Sequence, residues 1–144
     1  MSPALKAHFT DYAAFHQTRG NQACHYVGIP LIVMTLFALL AAVPIAELGG
    51  LRLTLAEVLL VLVTVYYFTL DATLGFMMLG TAALFDAAGH QIAPLPAAGL
   101  FMLGWVIQYI GHYVYEGRSP AFYRNAAHLL VGPLWILAKA TRRA

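Results

Sequence analysis

Apolar residues gather into long runs along this chain, and polar residues are confined to short stretches between them. Tyr26 to Ala46 carries no charge, Leu53 to Leu70 carries only Glu57, Ala72 to Phe85 carries none, and Ala87 to Tyr115 carries none, its imidazoles being neutral. A helix crossing a bilayer needs ~20 predominantly apolar residues. The pattern therefore predicts four spans: from Asn21 or Tyr26 to Pro44, from about Leu53 to Leu70, from after Asp71 to the region of Gly89, and from about Ala97 to Tyr115. Glu47-Leu48-Gly49-Gly50 reads as a turn, and His90 to Pro96, with two prolines, as a loop. Ahead of the first span, Leu5, Phe9, Tyr12 and Phe15 or His16 recur at helical spacing after Ser2-Pro3. This predicts an amphipathic interfacial helix from Pro3 to about Arg19, ended by Gly20. Beyond the fourth span, Gly117-Arg118-Ser119-Pro120 breaks the helix. Ala126 to Ala138, interrupted by Gly132-Pro133, is short for another span and reads as a re-entrant or interfacial helix. The expected fold class is all-α: an integral membrane helical bundle of about four spanning helices, forming one domain over residues 1–144.

Composition sharpens this picture. With 61% hydrophobic and 10% charged residues, a chain of 144 residues is too apolar for an ordinary soluble domain. The net charge of +2 is spread out and leaves no footprint for nucleic acid. A lone Cys24 excludes an intrachain disulfide framework and a cysteine-based zinc cluster, and reads as a small packing residue. No cleavable signal peptide is expected, because about 25 mixed residues precede a first apolar run longer than a signal h-region.

Charge placement gives the orientation. Lys6 and Arg19 precede the first span, Arg118 and Arg124 follow the fourth, and Lys139, Arg142 and Arg143 come last, whereas the first loop has only Arg52 and the third has no Lys or Arg. Four spans bring these basic clusters to one side, which the positive-inside rule makes cytoplasmic. His16, His25, His112 and Glu116 fall on that side too, and His90 falls on the other.

These residues are the candidates for chemistry. Gln108, His112 and Glu116 are four apart and stack on one helix face, as do Asn21 and His25. His16 precedes His25 by nine residues, about 180° away on one continuous helix, so both reach a common point only if the chain bends at Gly20. Three imidazoles with a carboxylate nearby suit a borderline divalent ion, and spacing alone does not separate iron from zinc. Glu116 is either a ligand or an acceptor that orients an imidazole, the second being preferred. Asn21, Gln108 and Tyr115 are candidates to complete that shell or to hold a substrate carboxylate. Arg118 is either a fork for such a carboxylate or a positive-inside anchor. His128 enters the last helix on the same side and is a further candidate ligand. His8 and His90 read as surface residues, and Tyr66, Tyr67, Trp105 and Trp135 as packing or interface anchors.

The pattern also resembles a known family, the Fe(II)-dependent 2-hydroxy fatty acid dioxygenases. The resemblance rests on Phe15-His16, Asn21, His25 and Pro30, then Gly111-His112, Glu116 and Pro120-Ala121, with Asn125 and Pro133 at family-like distances. It departs at Phe15, where a Tyr is usual, at Phe122-Tyr123-Arg124, and at His128, where the yeast-type pattern has Gln. The resemblance implies Fe(2+) held by the matching histidines, with a long-chain 2-hydroxy fatty acid and O2 as substrates and a fatty acid one carbon shorter plus CO2 as products. It further implies a substrate chelating the metal through its hydroxyl and carboxylate while its tail lies among the spans. Membrane lipid is the surrounding medium, in a bacterial cytoplasmic membrane or, for a eukaryotic chain, the endoplasmic reticulum. Two rival readings are a haem-binding electron carrier and a non-enzymatic lipid-binding membrane protein. Haem needs imidazoles well inside facing helices, whereas these cluster at one membrane end.

Overall fold

Each polar break in the sequence supplies the cap that starts the next helix. In the computed structural model, which describes residues 1–144, Ser2 Oγ accepts the Leu5 N–H at 3.2 Å and Pro3 opens α1 (Pro3–Ala14). Thr18 Oγ1 accepts from Asn21 N at 3.3 Å to start α2 (Arg19–Ala41). Thr54 and Glu57 cap α3 (Leu55–Leu70) reciprocally, the hydroxyl accepting from Ala56 N while the carboxylate accepts from Thr54 N. Asp71 does the same work for α4 (Ala72–Gly89) through Leu74 N. Pro94 opens α5 (Pro94–Ile110), which runs on as a π-helical turn over Gly111–Glu116, and α6 spans His128–Ala140.

Several boundaries differ from the sequence pattern, each for a local reason. The first helix stops at Ala14 rather than near Arg19, and the bend falls on Phe15 to Thr18; Gly20 sits inside α2. The bend comes from the Thr18 cap, which fixes the next helix start. The chain is also not purely helical. Residues expected at the ends of the first two spans pair instead as an antiparallel hairpin of β1 (Pro44–Leu48) and β2 (Leu51–Thr54), with Leu48 opposite Leu51. Gly49 and Gly50, at φ 58° and 85°, form the two-residue turn, a backbone that glycine adopts without strain. Helix α5 starts at Pro94, within the expected loop, because proline suits a first helical position. Helix α6 passes through Pro133 unbroken. Gly132 before it lets α6 close onto α1 and α2: a Cβ there would stand 2.9 Å from Ile29 Cδ1 and 3.0 Å from Tyr12 Oη.

The protein is mostly helical. Three helices are long and apolar enough to cross a membrane, Arg19–Ala41, Ala72–Gly89 and Pro94–Glu116, while Leu55–Leu70 and His128–Ala140 are apolar but shorter. Val58, Val61, Leu62 and Val65 of α3 and Met102, Leu103 and Val106 of α5 face outward, the apolar exterior that lipid solvates. Helix α2 is central, packing on α3, α4, α5 and α6. Its contact with α5 is close because glycines line it: a Cβ on Gly104 would lie 2.6 Å from Ile32 Cγ1, and one on Gly111 2.6 Å from Asn21 Oδ1. The main core joins Leu5, Phe9 and Tyr12 to Val131, Leu134 and Trp135 and to Tyr67, Leu74 and Met78. A smaller cluster of Phe37, Ala41, Ala56 and Ala82 lies along the C-terminal part of α2.

Candidate metal centre

The bend between α1 and α2, the first turns of α2 and the π-helical end of α5 meet at one end of the bundle. They bring His16, His25 and His112 together, all three buried, with one ring nitrogen from each lying within 4.8 Å of the others. The three rings meet edge to face, with centroids 4.3 to 5.0 Å apart. The π turn matters here: it rotates the helix end by about one extra residue per turn, a device that recurs where a helix presents functional side chains.

The hydrogen bonds fix which nitrogens face inward. His16 Nδ1 lies 2.6 Å from the Tyr12 carbonyl and His25 Nδ1 lies 2.9 Å from the Asn21 carbonyl. A carbonyl only accepts, so both Nδ1 atoms carry hydrogen and both neutral rings present a bare Nε2 lone pair. Those two Nε2 atoms are 3.0 Å apart. Burial pushes the His16 imidazole down to about 4, so near neutral pH it brings no proton to bridge them. Two facing lone pairs repel unless a cation lies between them. Their separation is also what two bonds of ~2.1 Å subtend at a right angle, about 3.0 Å. His112 Nδ1 is buried without a hydrogen-bond partner. The donor set thus fits a divalent metal held by three imidazoles, with the two backbone carbonyls orienting the rings from behind.

Glu116 serves a neighbouring purpose. Its Oε1 accepts from Gln17 N at 2.9 Å, and its Oε2 accepts from Thr18 N at 3.0 Å, Thr18 Oγ1 at 2.9 Å and Asn21 Nδ2 at 3.1 Å. The carboxylate therefore ties the loop bearing His16 to the end of α5, and its hydrogen bonds go to that loop rather than to a ring nitrogen. Asn21 also donates to the Phe15 carbonyl at 3.1 Å, so it braces the same bend. Gln108 is buried, donating to the Cys24 carbonyl at 3.3 Å.

His128 stands apart from the three-ring group. Its Nε2 is 2.7 Å from Asp11 Oδ2, its Nδ1 is buried without a partner, and its ring lies 5.6 Å from that of Tyr12. Tyr12 in turn stacks on His16, centroids 4.0 Å apart. Arg118 and Tyr115 are not drawn inward: both are exposed, Arg118 reaching the Ala14 carbonyl at 3.5 Å and Tyr115 covering Gly20. On the opposite end of the bundle, His90 is exposed and 3.0 Å from Glu57.

A cavity of about 350 Å³ opens beside the three rings. His16, His25, His112, Gln108 and His128 border it, but 21 of its 29 lining residues are hydrophobic, so it suits an aliphatic ligand with one polar end. Tyr12, Tyr67 and Trp105 also line it. The sequence reading passed over Tyr12 and Asp11 as site residues. The spacing of four between Tyr12 and His16 is the signal that places one ring over the other, whereas nothing local pairs Asp11 with His128.

Fold and centre together define a small helical protein of membrane character, built around a buried cluster of three histidines beside an apolar cavity. The family model described as 2-hydroxy-palmitic acid dioxygenase Mpo1-like matches residues 3–144, and the chain belongs to this Mpo1-like family. The chain is similar to 2-hydroxy-palmitic acid dioxygenase MPO1 of Saccharomyces cerevisiae, 29% identical over 141 residues, covering 92% of this chain and 77% of the yeast protein. No solved structure matches it.

Proposed function

We propose that the protein is an Fe(II)-dependent dioxygenase that converts a long-chain 2-hydroxy fatty acid and O2 to a fatty acid one carbon shorter, CO2 and water. His16, His25 and His112 hold the iron in this reading. The observation that carries it is the pair of unprotonated Nε2 atoms facing each other at 3.0 Å, which calls for a cation. Family membership and the name of the yeast relative support the dioxygenase role and the 2-hydroxy acid substrate.

When bound, the metal supplies open positions at which a 2-hydroxy acid and O2 meet. The rest is done by the chain. The Tyr12 and Asn21 carbonyls keep His16 and His25 in one tautomer, and Glu116 holds the loop that carries His16. Gln108 and His128 are polar groups bordering the cavity outside the three-ring cluster, and they flank the acid's head. His128 remains outside the metal shell in this reading because its ring nitrogens are not among those that gather within 4.8 Å of one another. Arg118 and Tyr115, standing outside the cavity, anchor the membrane end rather than the substrate. The apolar wall holds the tail and keeps water from the reacting carbon.

Residues 1–144 act as one membrane domain with four crossings. Helix α3, of 16 residues, is the shortest of the four and spans about 24 Å, within reach of the hydrocarbon core when the bilayer thins locally. This count gathers the basic clusters on the cytoplasmic side, together with the centre.

The test is metal analysis of anaerobically purified protein together with oxygen uptake on adding a 2-hydroxy fatty acid. One iron per chain is expected, with uptake that the unhydroxylated acid does not elicit. His16→Ala, His25→Ala and His112→Ala should each lose iron and turnover while remaining folded. Full iron and turnover in two of the three, or no uptake by iron-loaded protein, overturns the proposal.

A further inference from the structure

The cavity does not end where the histidines do. Along α2 it is lined from His25 through Ile29, Pro30, Ile32, Val33 and Leu36 to Phe37, mostly one face at helical spacing. Two phenyl rings, Phe37 and Phe85, line it toward the C-terminal part of α2. Phe37 is 1% exposed and packs in the cluster with Ala41, Ala56 and Ala82, and Leu59 and Phe85, which also line the cavity, pack against that cluster.

Resting on the 2-hydroxy fatty acid reading above, we propose that Phe37, with Phe85 beside it, is the residue that sets the acyl chain length this protein accepts. The twelve steps from His25 to Phe37 rise about 18 Å at ~1.5 Å each. A saturated chain advances about 1.25 Å per carbon, from a bond of ~1.52 Å and an angle of ~111°. The slot beside α2 therefore holds about 14 carbons between the metal end and the phenyl ring. Burial alone does not choose that length, since lipid tails are as apolar as the cavity wall and a tail gains little by leaving them. Shape does. A longer tail strikes a ring that packed neighbours prevent from moving, and a shorter one leaves a void.

The experiment measures kcat/KM in detergent for a ladder of saturated acids from 2-hydroxylauric to 2-hydroxyarachidic acid, on the iron-loaded wild type and two variants. A wild-type optimum is expected, with a fall of at least about tenfold for a two-carbon overrun. Phe37→Ala vacates about 4 Å, or roughly three carbons, and should move the optimum to longer acids. Val33→Phe fills the slot about 12 Å below His25 and should move the optimum to shorter acids without opening a cavity that weakens the fold. Iron content, read on each variant, should stay at the wild-type value. Turnover with the same profile in all three proteins overturns the gauge and leaves the proposed reaction standing. Absence of turnover of every acid by iron-loaded wild type overturns both.

Discussion

The carboxylate of Glu116 offers a sharp separation between holding the metal and holding the loop that holds the metal. Four donors converge on it, from Gln17, Thr18 and Asn21. In Glu116→Gln the amide oxygen can keep the three donors now on Oε2, but the amide nitrogen then faces the Gln17 N–H, donor against donor. One bond is lost outright, and the remainder lose their charge assistance. A hydrogen bond contributes about 1 kcal/mol net, and one to a charged group about 1.5–3 kcal/mol. The half-exposed setting of Glu116 places the total near the low end, about 1.5–3 kcal/mol. If that loss falls on the ordering of the His16 loop, Fe(II) affinity drops about 10–100-fold, the range typical of groups that orient ligands. Glu116→Ala, which loses all four bonds, should fall further yet still bind iron through the three imidazoles. Anaerobic Fe(II) titration of both variants beside His112→Ala is the assay. Binding by Glu116→Gln as weak as that of His112→Ala would make the carboxylate a ligand; unchanged affinity in Glu116→Ala would remove its part in ordering the loop.

Two other outcomes follow from the same geometry. His128→Gln should retain a full complement of iron, because its ring stands outside the group of three whose nitrogens lie within 4.8 Å of one another, while turnover falls; loss of iron to the level of His16→Ala would place His128 in the metal shell. Cysteine labelling in a Cys24→Ala background should find positions 90 and 142 on opposite sides of the membrane, and external labelling at 142 would overturn the four-crossing topology.

The centre is more legible in the sequence than the path of the chain around it. Asn21 and His25, and likewise His112 and Glu116, share helix faces by their spacing alone, and the charge pattern puts the two pairs at one end. The position of the bend is not legible in that way. Gly20 is the conspicuous breaker, but Thr18 makes the cap, and Gly20 instead gives room to the Tyr115 ring. The π turn over Gly111–Glu116 leaves no mark in composition. The hairpin from Pro44 to Thr54 is hidden because Ile45, Leu51 and Leu53 look like the ends of spans; only Gly49-Gly50 announces the turn. The contact between Asp11 and His128 joins the two ends of the chain and has no local signal at all.

The origin of the three rings has a consequence for how the protein comes into being. Two stand near the start of the chain and the third far along it, at positions 16, 25 and 112. While the first half is being made, its two imidazoles have no third partner, and the bend, held from within by the Thr18 cap and the Asn21 bond to the Phe15 carbonyl, lacks the bonds that Glu116 brings with the end of α5. On the proposed function, a tight site exists only after α5 has settled on α2, so the metal would be acquired late and would clamp an assembled bundle rather than nucleate it. Once there, it would cross-link the bend before α2 to the last turn of α5, and its dissociation would free that bend from α5.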